Sequence, residues 1–194
     1  MLINERLEGY EKEISTFLAE LLKAVTEFHT AYERWEKSGD ALILKIAGTE
    51  ASKIQEFLGK LLWRYWCWRT GEDMPIKQCL KAAVEAGVVN LSPELYKQMR
   101  QTRHAHVVHG YGKTREEHLA QHGFLVEQAP LYISAAAEMW ERLIQEIPQA
   151  ASAAMNACLK YWGGELEERQ VLSILARYKT KDRHKPDFLR RRRK

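Results

Sequence analysis

Apolar side chains near the start of this chain recur at every third or fourth position. Leu7, Tyr10, Ile14, Phe17, Leu18, Leu21, Val25, Phe28, Tyr32 and Trp35 all follow that spacing. Such a period stacks residues on one face of an α-helix, whereas a half-buried strand alternates every second residue. No segment sustains the two-residue alternation, and Asn-Gly and Asp-Gly hairpin turns are absent. The pattern predicts an all-α fold, a bundle of long antiparallel helices joined by short loops, with a C-terminal helical extension.

Turn and capping residues divide the pattern. Ser38-Gly39-Asp40 ends the first helix, and the second runs from about Leu42 to Arg69, stopping near Gly71. Pro75 suits the first turn of a third helix, which should end at Gly87. Ser92-Pro93-Glu94-Leu95 combines an N-cap serine with a proline at the first helical position. The fourth helix begun there should break at Gly110-x-Gly112, and Thr114-x-x-Glu117 resembles a capping box opening a fifth. Pro130 is expected to kink or interrupt that helix before it continues through Trp140 to Ile147. Two more helices, Gln149 to Trp162 and Glu165 to Tyr178, are separated by Gly163-Gly164. Residues 1–147 read as the bundle, 148–178 as the extension and 179–194 as a basic flexible tail.

A chain of 194 residues, 45% hydrophobic and 29% charged, has the composition of one globular domain with an appendage. No apolar run approaches the ~20 residues that span a bilayer, and Met1 to Tyr10 has no signal-peptide apolar core. Cys67, Cys79 and Cys158 are widely spaced and form no Cys-x-x-Cys pair, which fits reduced core thiols. These features predict a cytoplasmic protein with no membrane association.

The net charge of +4 is unevenly placed: residues 177–194 carry +8 and the rest of the chain sums to −4. Arg190, Arg191, Arg192, Arg193 and Lys194 end the basic run. A run of this kind favours a polyanion, here RNA, although a solvated terminus that only aids solubility has the same composition.

Arg103-His104-Ala105-His106-Val107-Val108-His109-Gly110-Tyr111 gathers one guanidinium, three imidazoles and a phenol at the end of the fourth helix. Imidazole exchanges protons near neutral pH, and arginine holds phosphate through a planar fork of donors. The set suggests metal-free chemistry on a phosphodiester. On an ideal helix His109 stands about 120° around from Arg103, so the two do not converge on one phosphate within a regular helix. Either the helix unwinds toward Gly110, or a second copy completes the site across a two-fold axis in a homodimer.

Arg103-His104-x4-His109 resembles the signature of HEPN domains, an arginine and a polar residue followed, a few positions on, by a histidine. The stretch from Pro75 to Met99, with Ala82-Ala83, Gly87-Val88-Val89 and Glu94-Leu95-Tyr96-x-x-Met99, is similar to the lead-in of HEPN proteins partnered with minimal nucleotidyltransferases. His109-Gly110-Tyr111 resembles the histidine-x-tyrosine ending of that branch, which usually has Asn after the arginine and one residue fewer before the histidine. The resemblance covers about residues 5–147. It implies a helical bundle that often dimerises and in many members is an RNase, frequently a toxin or antiphage effector. By the same resemblance Arg103 and His109 correspond to the catalytic pair and His104 to the intervening polar position. Tyr111 corresponds to a tyrosine that can receive a nucleotide from a partner nucleotidyltransferase.

The expectation is therefore a metal-independent endoribonuclease that cleaves RNA by 2′-hydroxyl attack, with no cofactor and no metal ligands. A nucleotidyltransferase or antitoxin partner is the associated expectation. The alternative is a non-enzymatic HEPN-like module that docks such an effector, or binds RNA through its tail. Histidines also serve as ordinary helix-end residues, favoured there by the helix dipole. A zinc reading would join His118-x3-His122 to His104 and His106. No His-Glu-x-x-His is present, and an exposed helical pair accounts better for His118 and His122. Trp63-Arg64-Tyr65-Trp66-Cys67-Trp68-Arg69 could stack on unpaired bases, but its spacing continues an apolar face and fits core or dimer interface better.

Overall fold

The apolar stripe at the start of the chain folds as one 36-residue helix, α1 (Ile3–Ser38), in a computed structural model that describes residues 3–92, Lys97 and 114–179. Gly39, with φ +66°, turns the chain. Asp40 then caps α2 (Ala41–Thr70), its carboxylate accepting the Leu42 N–H at 2.7 Å. The two helices lie against each other along their length. Ile14, Leu18, Leu21, Val25 and Phe28 of α1 are buried with Ile54, Leu58, Leu61 and Leu62 of α2. Each such side chain contributes roughly 1.5–3 kcal/mol on leaving water, so packing rather than helix propensity stabilises the pair.

Gly71, at φ +71°, closes α2 by donating to the Cys67 carbonyl, and Pro75 precedes the short α3 (Ile76–Glu85). Gly87 ends α3 in the left-handed region, with Val88 N–H returning to the Ala83 carbonyl. Val88, Val89 and Leu91 then enter the core. The expected helix from Ser92 to Gly110 lies outside the described residues, apart from Ser92 itself and Lys97.

The Thr114 capping box is present. Its hydroxyl accepts the Glu117 N–H at 3.2 Å and its N–H donates to Glu117 Oε2 at 2.7 Å. It opens α4 (Arg115–Glu146), which runs through Pro130 without interruption. Buried Ile147 forms the corner into α5 (Pro148–Tyr161). Gly163 and Gly164, both at positive φ, lead to α6 (Glu168–Tyr178), which starts three residues later than the sequence suggested. Among the described residues the protein is all-α, six helices and no strand, and no helix is long and apolar enough to cross a membrane. Ala151, Ala154 and Cys158 of α5 and Val171 and Leu175 of α6 share one core with α1, α2 and α4.

Where α2 crosses α4 the backbones approach closely. A Cβ at Gly48 would stand 2.4 Å from His122 Nδ1 and 2.7 Å from His122 Cβ, so only glycine fits. His118 and His122 are half-buried in this region rather than exposed. The reading of them as a solvent-facing pair is corrected: the imidazole of His122 fills the space that Gly48 leaves.

Candidate functional site

Arg103, His104, His109 and Tyr111 lie outside the described residues, as do His106 and the run from Arg190 to Lys194. The described residues upstream of the two segments, Asn90 and Lys179, meet neighbouring positions of α4. Asn90 N–H, thirteen residues before Arg103, donates to Glu138 Oε2 of α4 at 2.6 Å. Lys179, the last described residue before the basic run, pairs through Nζ with Glu141 of α4. Glu138 and Glu141 are three apart on one helix, so their side chains are neighbours on its surface, roughly 5–6 Å between Cβ atoms. The other end of the Arg/His segment joins Thr114 at the start of α4, and the helix rises about 36 Å from there to Glu138.

The C-terminal turn of α6 that delivers Lys179 is fixed to α1 by a polar cluster. His29 Nδ1 lies 3.1 Å from Tyr178 Oη, and His29 Nε2 lies 3.1 Å from Arg177 Nη1 and 3.2 Å from Glu33 Oε1. Arg177 Nη1 also pairs with Glu33 Oε1 at 3.2 Å. A neutral imidazole can accept from Arg177, while an imidazolium sets a second positive charge against it. Burial accordingly lowers the His29 pKa, and Arg177 adds to that, with Glu33 and Glu36 opposing. Burial also raises the Tyr178 phenol, with Glu33 adding to it, so it stays protonated. Tyr32, one turn from Phe28, bonds Glu36 at 2.8 Å beside this cluster.

The tryptophan-rich stretch is occupied by contacts within the chain. Trp63 Nε1 donates to the Met74 carbonyl at 2.8 Å, Trp68 Nε1 to Glu11 at 3.1 Å, and Tyr65 hydroxyl to Glu146 Oε2 at 2.6 Å. Arg64 stacks 3.8 Å from the Trp63 ring centroid and pairs with Glu13 and Asp73. Tyr65 and Cys67 are fully buried, and Trp63, Trp66 and Trp68 pack partly buried against the core. The stretch serves packing within the fold, as its spacing along the helix suggests.

Sequence reading missed three things: the acidic pair Glu138 and Glu141, the His29–Tyr178 contact, and the proximity of Cys67 to Cys79. Glu138 and Glu141 look like any charged helix face, and their partners are 38 or more residues away. Cys67 and Cys79 do carry a local signal, because they flank the tight connection marked by Gly71 and Pro75. Among the described residues no group of three or more His, Cys, Asp or Glu side chains is placed to hold a metal ion. Comparison of the chain with protein-family models, curated proteins and solved structures gave no match.

Proposed function

We propose that the protein is a metal-independent endoribonuclease of HEPN type, acting as a homodimer in a toxin or antiphage role. Arg103 would hold the charge of the phosphorane, and His109 would move protons between the ribose 2′-hydroxyl and the 5′-oxygen leaving group. His104 fills the polar position between them. The observation that carries this reading is the Arg103-His104-x4-His109 motif in a chain whose described residues are all-α. Asn90, upstream of the Arg/His segment, and Lys179, upstream of the basic run, meet neighbouring carboxylates of α4. The all-α frame accords with the same reading.

The test is cleavage of RNA by the wild-type chain beside Arg103→Ala and His109→Ala, each with helix content checked by circular dichroism. Cleavage that survives EDTA, yields 2′,3′-cyclic phosphate ends, spares DNA and disappears in both variants is the expected result. Activity lost in His106→Ala but kept in His109→Ala would place the motif one helical turn away. RNA left intact by all three proteins, with binding retained, would favour a non-enzymatic module that docks a nucleotidyltransferase or antitoxin.

A further inference from the structure

Cys67 and Cys79 have no role in the proposed chemistry. Cys67 lies in the last turn of α2 and Cys79 in the first turn of α3, on either side of the connection through Gly71 and Pro75. Their sulfurs are 3.7 Å apart, and both side chains are fully buried in a small cluster with Tyr10, separate from the main core. Leu7, Trp63, Trp66, Trp68 and Met74 cover that cluster and are themselves only partly buried. Residues 71–73, in the connection between the two helices, are exposed. The pair is therefore one layer of side chains below the surface. Cys158 is also buried, but in the main core, away from this cluster.

We propose that Cys67 and Cys79 are a modification site, a dithiol that closes to an intrachain disulfide when a small peroxide reaches it. Bonding requires the sulfurs to move from 3.7 Å to about 2.05 Å. One thiol attacks a peroxide oxygen, the O–O bond breaks, and the departing hydroxide takes up the thiol proton as water, leaving a sulfenic acid. The second sulfur attacks the first, the S–O bond breaks, and the second water leaves with the second thiol proton. Two thiols lose two electrons between them and the peroxide is reduced to two waters. Burial, a hydrogen bond with Cys67 and the nearby Asp73 carboxylate push the Cys79 thiol up to about 12. Both geometry and protonation therefore make the closure slower than oxidation of an exposed thiolate, and selective for a small oxidant.

The covalent link would fasten α3 to the end of α2. Because α3 leads through Val88 and Val89 to Asn90, the link sits upstream in sequence of the proposed site.

The test uses the full-length reduced protein treated with hydrogen peroxide, then denatured, alkylated and digested with trypsin under non-reducing conditions. The expected product joins residues 65–69 to residues 78–81, with Cys158 alkylated and the link reversed by dithiothreitol. Wild-type mapping decides the matter even if Cys67→Ser or Cys79→Ser fails to fold. Three free thiols after treatment of the folded chain would overturn the proposal, provided the same chain unfolded in urea forms disulfides. So would a link to Cys158, or sulfinic acid at Cys67 in place of a disulfide. None of these outcomes depends on ribonuclease activity, so a failure here is distinct from a failure of the proposed function.

Discussion

At position 48 the space available decides the residue. The missing Cβ would overlap both Nδ1 and Cβ of His122, and the Cβ cannot swing away as the end of a long side chain can. Gly48→Ala is therefore expected to destabilise the fold by about 1–3 kcal/mol, the range for overpacking a filled contact. His122→Ala in the same chain should recover part of that loss. Urea denaturation of the single and double variants measures both, and a Gly48→Ala chain as stable as wild type would mean that α2 and α4 separate without cost. Tyr65 gives a second residue-scale expectation. Its buried hydroxyl meets Glu146 at 2.6 Å, so Tyr65→Phe should cost about 1 kcal/mol or somewhat more, since the acceptor is charged. Neither contact is readable from sequence. His118-x3-His122 is visible as a pair on one face, but nothing local says that the second imidazole faces a glycine 74 residues earlier.

Element boundaries are far more legible, because caps are chemistry between near neighbours. Asp40, Gly71, Gly87 and the Thr114–Glu117 box each act within a few residues of themselves, and each does in the structure what its residue type permits. Pro130 shows the limit of such rules, since a proline inside α4 removes one donor yet packing carries the helix through it. The docking of α6 belongs to the illegible class, because His29 and Tyr178 are 149 residues apart. It also carries a pH dependence. The His29 pKa is lower folded than unfolded, so the unfolded chain takes up its proton first as pH falls. Stability contributed by the neutral imidazole is complete above the unfolded value of about 6.5 and is lost from there downward toward the folded pKa. Unfolding free energy should therefore rise with pH below about 6.5 and level off above it, and rise less steeply in His29→Gln. Glu33, Glu36, Arg177 and Tyr178 surround the ring and are unchanged in that variant, so equal slopes would remove His29 from the account.

For the whole molecule, the division into an acidic body and a basic terminus remains the main guide to binding. Truncation after Lys179 removes Lys181, Arg183, Lys185 and the run from Arg190 to Lys194 and leaves the core of the described residues whole. The truncated chain should keep its helix content and bind single-stranded RNA more weakly. Its salt dependence should be shallower by about 0.7 logarithmic units for each phosphate that is no longer neutralised. Unchanged affinity and slope would assign the basic run another purpose. Light scattering should find a homodimer, since Arg103 and His109 on one regular helix splay apart. A monomer at micromolar concentration would count against a composite site.

Glu141 adds a kinetic consequence. Lys179 ties the root of the basic run to Glu141 on α4. Under the proposed function, an RNA held by that run is a tethered substrate for the Arg/His segment of the same chain, at a local concentration in the millimolar range for short tethers. Such a gain requires an RNA long enough to engage both segments at once. Long transcripts should therefore be favoured over short oligonucleotides by KM, with little difference in single-turnover rate. Removing the mooring charge in Glu141→Ala should narrow that preference while leaving the intrinsic rate in place.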